Sequence, residues 1–293
     1  MNQNDFRLNS KILITGLVRN AQFTLLNDLN TFQRAFANFS HIQYLLVESD
    51  SSDSTLLKLD QISKELENFS YVTLGSLDSK IPAREARIGF CRNAYLAQLR
   101  DNPKYKEVEY LVVADWDGIN SELDPVAIES CLQVSGWDGC FANQYRYYYD
   151  IYALRHPVWS PNDCWKYESF LRSIGLSHIE AREKAVYSRQ KHIPSNSPWI
   201  PVHSAFGGLA IYRVSSIKLA SYQGYEQDGS LTCEHVSFNL EILRTGGKLF
   251  INPSLINSHG NPHTLNRSRI NRLKWNIKRG LVKVFKFYAH KSI

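Results

Sequence analysis

Runs of consecutive apolar residues alternate along this chain with stretches whose apolar positions recur every three or four residues. The first run, K-I-L-I-T-G-L-V at 11–18, predicts a strand. Leu25, Leu26, Leu29, Phe32, Phe36 and Phe39 then share one face of a helix over 21–38. A second apolar strand covers 42–47, a helix covers 55–68 and a short strand covers 71–74. Strand, helix, strand in such quick succession is the βαβ unit of α/β proteins. Farther on, Ile88, Cys91, Tyr95 and Leu96 form the apolar face of a helix beginning near Arg84. The run 108–114 predicts an inner strand, followed by a helix at 125–135 and a strand at 138–142. Residues 168–201 are polar and predict irregular chain after a short helix, with a loop at Ser195-Asn196-Ser197-Pro198. A strand at 209–212, a helix at 236–244 ended by Gly246-Gly247, and a strand at 248–251 complete the series.

The central run ends in Asp115-Trp116-Asp117-Gly118. Two carboxylates where a buried strand emerges need a partner for their charge or must stay wet. A divalent cation is one such partner, since hard cations prefer carboxylate oxygens; a simple Asp-Gly turn is the other reading. Arg19 follows the first strand, and Glu48-Ser49-Asp50-Ser51-Ser52-Asp53-Ser54 follows the second. Ligands of open α/β sheets bind at these strand ends. Asp53 or Ser54 can cap the next helix, and the remaining polar groups suit a ribose or a base edge. Arg84, Arg87 and Arg92 are either a solvated helix face or partners for a diphosphate, whose oxygens match the guanidinium fork. The stretch F-A-N-Q-Y-R-Y-Y-Y-D-I-Y at 141–152 offers rings either to the core or to a sugar. Gly207-Gly208 permits close approach of backbone to a ligand.

Charge changes this picture at one end only. The net charge of +6 arises from residues 261–293, which hold nine Lys or Arg and no Asp or Glu. The rest of the chain sums to −3, so no basic stripe on the folded body points to nucleic acid, and none is expected as partner. The domain expectation is therefore a folded unit at 1–260 and a tail at 261–293. Ile270, Leu273, Ile277, Leu281, Val284 and Phe285 give the tail a basic amphipathic helical pattern suited to an anionic membrane surface. Liposome co-sedimentation with and without residues 262–293 tests this attachment, and equal behaviour of both proteins ends it. The five cysteines form no CxxC pair, which argues against a disulfide scaffold or a thiolate metal site. The polar opening M-N-Q-N-D-F-R-L-N-S does not read as a signal peptide, and no run reaches the roughly 18 apolar residues of a span. The expectation is a cytoplasmic protein, peripheral on the inner face of the membrane if the tail binds there.

Seven short elements occur in order: L-V-R-N at 17–20, E-S-D-S-S-D-S-T at 48–55, R-I-G-F-C-R-N-A at 87–94, V-V-A-D-W-D at 112–117, F-G-G-L-A-I-Y at 206–212, C-E-H at 233–235 and N-S-H-G at 257–260. Together they resemble the GT-A class of nucleotide-sugar glycosyltransferases. More loosely, the chain is similar to the fungal capsule-associated mannosyltransferases and their bacterial relatives. The resemblance implies one α/β domain around a mixed, mostly parallel sheet flanked by helices. It also implies a GDP- or UDP-sugar donor bound with Mn²⁺ or Mg²⁺. Asp115 and Asp117 match the metal-binding acidic motif, and His259 falls where many members carry a third ligand. Glu234 falls where inverting members carry the catalytic base, Arg92 and Asn93 match an arginine region, and Glu48 and Asp50 lie near the nucleoside. The element C-E-H departs from the usual acidic pair of inverting members, with Glu234 as its one acid.

The chemistry implied is transfer of a sugar to a glycan or lipid-linked glycan acceptor, in surface polysaccharide synthesis. The metal neutralises the departing diphosphate, and Glu234 takes the acceptor proton. Asp138 and Asp163 are alternative bases. A metal-dependent nucleotidyltransferase and a non-catalytic glycan-binding module are the rival readings. Neither the glycine-rich loop of the first nor the spacing of a zinc hydrolase is evident.

Overall fold

The computed structural model describes residues 7–260. The proposed amphipathic tail and its membrane attachment lie outside them. Eight strands form one sheet in the order β3-β2-β1-β4-β7-β5-β8-β6. In chain order these are β1 (Lys11–Val18), β2 (His41–Glu48), β3 (Phe69–Thr73), β4 (Tyr110–Asp115), β5 (Gly139–Gln144), β6 (Ile200–Pro201), β7 (Leu209–Arg213) and β8 (Leu249–Ser258). Strands β1 to β4 are mutually parallel, and β5 is parallel to β8. Antiparallel β7 joins the two groups through β4 and β5, and β6 is an antiparallel edge on β8. This is the mixed, mostly parallel α/β sheet expected from the sequence.

The apolar runs are continuous because both faces of the sheet are covered. Ile12, Ile14, Tyr110 and Val112 pack under Phe32 of helix α1 (Leu25–Ala35), Phe36 at its C-cap and Leu59 of α2 (Thr55–Glu65). Leu13, Leu111 and Val113 point to the other face, where Tyr95, Leu96 and Leu99 of α3 (Arg84–Asp101) cover them. The alternation is the two-residue period of a pleated strand, with an apolar layer on each side. A short α4 (Pro125–Glu129) follows β4, with Asp124 as its side-chain cap.

One expectation fails between β5 and β6. The short helix expected at the start of the polar stretch is α5 (Cys164–Ser173), but the chain after it is not irregular throughout: it forms a second helix, α6 (His178–Ala185), packed on α5. Their start signals are polar caps. Asp163 accepts from the N–H groups of Trp165 and Lys166, and Ser177 with Glu180 forms a capping box. The apolar period that usually reveals a helix is weak because each helix buries few residues, Ala181 and Ala185 in α6. Helix α7 (Glu234–Arg244) precedes β8, which runs to Ser258 rather than ending at 251.

Gly16 in β1 fixes how the acidic strand end is seated. A Cβ there would lie 2.3 Å from the carbonyl oxygen of Ala114 and 2.3 Å from the indole of Trp116. Trp116 is buried and packs on Phe32 with ring centroids 4.8 Å apart, so neither neighbour has room to withdraw. Gly16→Ala is expected to cost about 1–3 kcal/mol by overpacking. Because Trp116 stands between Asp115 and Asp117, the variant should also shift both carboxylates. Urea denaturation checks the first effect, and nucleotide affinity of the folded fraction checks the second.

Candidate active site

A cavity of about 420 Å³ opens at the C-terminal ends of β1, β2 and β4. Arg19, Asp50, Asp115 and Asp117 come from the strand ends, Arg84, Arg87 and Arg92 from α3, and Glu234 and His235 from the first turn of α7. Tyr149, Asp150, Tyr152 and Phe206 close it from the segments flanking β5 and β7. Parallel strands deliver their following loops to one edge of the sheet, so sequence-distant charged groups meet there.

Two of these loops are stitched together. The Asn20 side chain accepts from the Ser52 N–H at 2.8 Å, the Ala21 N–H donates to Thr55 Oγ1 at 2.7 Å, and the Gln22 N–H donates to Asp53 at 3.2 Å. Asn20 and Asp50 hold φ of 52° and 59°, a left-handed conformation that short polar side chains tolerate. Of the two capping candidates, Ser54 takes the N-cap position of α2 but makes no side-chain cap bond; Asp53, one residue earlier, accepts from the Thr55 N–H while also holding the β1 loop.

Asp50 lies beneath the arginines. Its Oδ1 accepts from the N–H groups of Leu77 and Asp78 at 2.7 and 3.0 Å, and its Oδ2 lies 3.6 Å from Arg87 Nε. Burial works against its charge, but the two backbone donors hold the carboxyl below its ordinary range. Arg19 Nε donates to the Asp50 carbonyl at 3.2 Å. Arg84 is exposed and pairs with no carboxylate among the described residues.

Arg92 lies at the bottom of the site, 5% exposed. Its Nε donates to Glu234 at 3.0 Å, and its Nη2 lies 3.6 Å from Asp115. The guanidinium lies over the rings of Phe206 and Tyr222, at 5.2 and 5.7 Å. His235 stacks on Phe206 with centroids 3.8 Å apart. Burial, reinforced by the charge of Arg92, pushes its imidazole well below its usual range, so it is neutral. Burial pushes the Asp115 carboxyl up to about 7, with Arg92 opposing and Asp117 adding to the rise. Asp117 itself is exposed and, among the described residues, accepts only from the Ile119 N–H, at 3.2 Å.

Two predicted residues stand apart from the cavity. Glu48 is buried and spends both carboxylate oxygens inside the protein, on the Ser51 N–H and the Thr73 hydroxyl. It ties the β2 loop to β3. His259 is largely exposed, 3.7 Å from Glu122 and edge-on to Tyr145 at 4.9 Å. Among the described residues no three His, Cys, Asp or Glu side chains converge as a metal-holding group, so Asp115, Asp117 and His259 are not brought together. The alternative bases are also elsewhere. Asp138 binds Ser216 and the Lys248 N–H, while Asp163 caps α5 and pairs with Arg155 at 2.9 Å.

Several site residues were not legible in the sequence. Asp150 closes an aromatic run, and a lone acid there was the only signal. Gln144, Asn120 and Asn257 form a buried amide network around the Gly207 and Gly208 carbonyls, and the Gly208 carbonyl also accepts from Asp115 N–H at 3.0 Å. The glycine pair therefore lets protein backbone and amides approach, with φ of 70° and 87°, and so holds β7 against the acidic end of β4.

Asp28 of α1 underlies the same turn. It is 3% exposed and accepts from the Gly118 N–H at 3.3 Å. Burial raises its carboxyl from 3.8 to about 7, with the Gly118 bond opposing and Asp117 adding. Because the native state holds this proton more tightly than the unfolded chain, stability falls as pH rises from about 4 through about 7. Asp28→Asn is expected to stabilise the protein at pH 8 by on the order of 2 kcal/mol and to change little at pH 4. Urea midpoints at the two pH values, without divalent cations, check the sign.

No protein-family model and no curated protein matches the chain. Solved structures do. The mannosyltransferase PcManGT from Pyrobaculum calidifontis, in complex with GDP-Man and Mn²⁺, is 11% identical over 85% of this chain and 56% of its own, with TM-score 0.46. Residues 1–349 of S. aureus TarS are 13% identical over 90% of this chain and 64% of that one, with TM-score 0.48. Glucosyl-3-phosphoglycerate synthase from Mycobacterium tuberculosis, in complex with uridine diphosphate, is 11% identical over 85% and 69%, with TM-score 0.39. The chain thus spans less than two thirds of the first two. Among the described residues no helix is long and apolar enough to cross a membrane.

Proposed function

We propose that this chain is a nucleotide-sugar-dependent glycosyltransferase that uses a divalent cation and transfers a sugar to a glycan or lipid-linked glycan hydroxyl. One observation carries the reading: a cavity at three parallel strand ends sets an acidic pair, Asp115 and Asp117, across from the arginines of one helix. A nucleoside diphosphate needs both, cations for its phosphates and acceptors for its sugar and base. Asp50, kept ionised by two backbone donors, is suited to accept from a ribose hydroxyl or a base N–H. Arg84 and Arg87 are placed to meet the diphosphate.

Burial pushes the Asp115 carboxyl up to about 7, and its cationic neighbour Arg92, 3.6 Å away, is shared with Glu234 at 3.0 Å, so Asp115 and the exposed Asp117 leave oxygen ligands for a further cation. Mg²⁺ and Mn²⁺ are commonly held by one or two carboxylates, with substrate phosphate oxygens and water filling the other positions. Asp115 and Asp117 fit such a site, with Asp117 the more accessible ligand, and His259 is not needed in it. When bound, the ion neutralises charge that builds on the departing diphosphate.

The protein's own part is to bind and orient. Arg92 holds Asp115 and Glu234 in fixed positions, and Phe206 and His235 wall off one side of the sugar site. Glu234 is the base implied by the resemblance, in a single displacement that inverts the anomeric carbon. Incubation of UDP-, GDP- and CMP-sugars with the protein and Mn²⁺, followed by analysis of released nucleotide, tests the reading. Release of one nucleoside diphosphate, dependent on the metal, supports it. Pyrophosphate formed from a nucleoside triphosphate and a sugar phosphate would establish the nucleotidyltransferase instead.

A further inference from the structure

A second cavity of about 370 Å³ lies between α5, α6 and the segment after β5. It shares Arg84, Tyr149, Asp150 and Tyr152 with the first, so these residues form the boundary between the two. Its far wall carries Trp165, whose indole meets Tyr152 at 6.0 Å and is covered on one face by Arg182 at 4.6 Å. An aromatic-lined cavity opening beside the donor site is a path by which a saccharide hydroxyl can reach the donor sugar.

Two carboxylates border the point where such a hydroxyl would arrive, and they differ in what already holds them. Glu234 Oε1 is taken by Arg92 at 3.0 Å and lies 3.6 Å from His235. It lines only the first cavity. Asp150 faces both cavities and is held by backbone alone, through the N–H groups of Gly207 at 3.1 Å and Ala153 at 3.3 Å. No cation pairs with it among the described residues. We propose that Asp150, not Glu234, is the catalytic residue that takes the proton from the attacking hydroxyl, and that Glu234 is a positioning residue acting through Arg92. This rests on the transferase reading given above.

The step balances without a further reagent. The acceptor oxygen forms the bond to the anomeric carbon, the bond from that carbon to the phosphate oxygen breaks, and its electron pair leaves with the nucleoside diphosphate. The hydroxyl proton goes to an Asp150 carboxylate oxygen. Burial pushes this carboxyl up despite its two backbone donors, which makes it a better proton acceptor than an exposed aspartate. Held by Gly207, it is also tied to the glycine pair whose amide network supports Asp115.

Release of nucleotide from a UDP- or GDP-sugar with Mn²⁺ and water as acceptor supplies the assay, since water also must lose a proton. Asp150→Asn should lower this release by ~100-fold or more while binding the nucleoside diphosphate as the wild type does. Asp150→Ala should recover release when sodium azide is added, giving a glycosyl azide, because azide attacks without giving up a proton. Glu234→Gln should show no such recovery. Wild-type release by Asp150→Asn would overturn the proposal, and so would azide recovery confined to Glu234→Gln. Failure of azide to restore Asp150→Ala with nucleotide binding intact would also overturn it. A wild-type protein that neither binds nor cleaves any nucleotide sugar would instead refute the transferase reading itself.

Discussion

Asp117→Ala is expected to abolish metal-dependent binding of the nucleoside diphosphate, weakening it by on the order of 100-fold or more, while leaving the fold as stable as before. The two halves of that expectation come from one observation. Asp117 is exposed and, among the described residues, accepts only from the nearby Ile119 N–H, so its removal opens no hole and strands no buried partner. Substitutions at such positions usually change stability by about 0.5 kcal/mol or less. Its carboxylate also adds to the like-charge pressure on Asp115 and Asp28, so its loss should if anything favour the metal-free protein. Calorimetric titration of UDP and GDP, each with and without Mn²⁺, reads the effect directly. Binding that ignores both the metal and the substitution would remove the donor site as proposed.

Arg92→Met should have the largest effect on stability, about 3–5 kcal/mol, because it leaves Glu234 and Asp115 without their buried counter-charge. A loss of that size is a large share of the 5–15 kcal/mol by which domains are typically stable, roughly speaking. The methionine fills part of the space between Phe206 and Tyr222, so the cost is chiefly electrostatic. Arg92 lowers the Asp115 carboxyl, which burial has already raised to about 7, and removing the arginine raises it further. The variant should therefore be most destabilised above pH 7, where Asp115 must ionise unaided, and should recover part of the loss near pH 5 as it protonates. Arg92→Lys should rescue only partly, since an ammonium lacks the fork that reaches both carboxylates. The double variant Arg92→Met/Glu234→Gln should be more stable than Arg92→Met alone, and urea unfolding of the wild type, Arg92→Met, Glu234→Gln and the double variant gives the coupling.

Much of this molecule is written locally. β1 begins and ends at the residues its apolar run predicts, and β2, β4 and β7 fall within a residue or two of theirs. These strands are buried on both faces, so their sequence could only be a continuous apolar run, which a short window detects. The same holds for the acidic pair at the end of β4 and the arginines of α3, because a strand end and a helix face are local properties. Helix α6 was missed for the converse reason: it buries only Ala181 and Ala185, so its capping groups carried the only signal.

Position in space was decided by contacts that no local pattern encodes. Glu48 and Asp50 are two residues apart and looked alike in sequence. The register of β2 beside β3 gives Glu48 to Thr73 and leaves Asp50 at the cavity. His259 follows a strand that runs farther than its apolar pattern suggested, which carries it toward Glu122 and Tyr145. Arg92 and Glu234 are 142 positions apart and meet only because α3 and α7 pack on the same face of the sheet. The sequence thus determined the elements and the kinds of charged group at their ends. The tertiary structure alone decided which of those charges face one another, because that depends on strand order and helix packing across the whole chain.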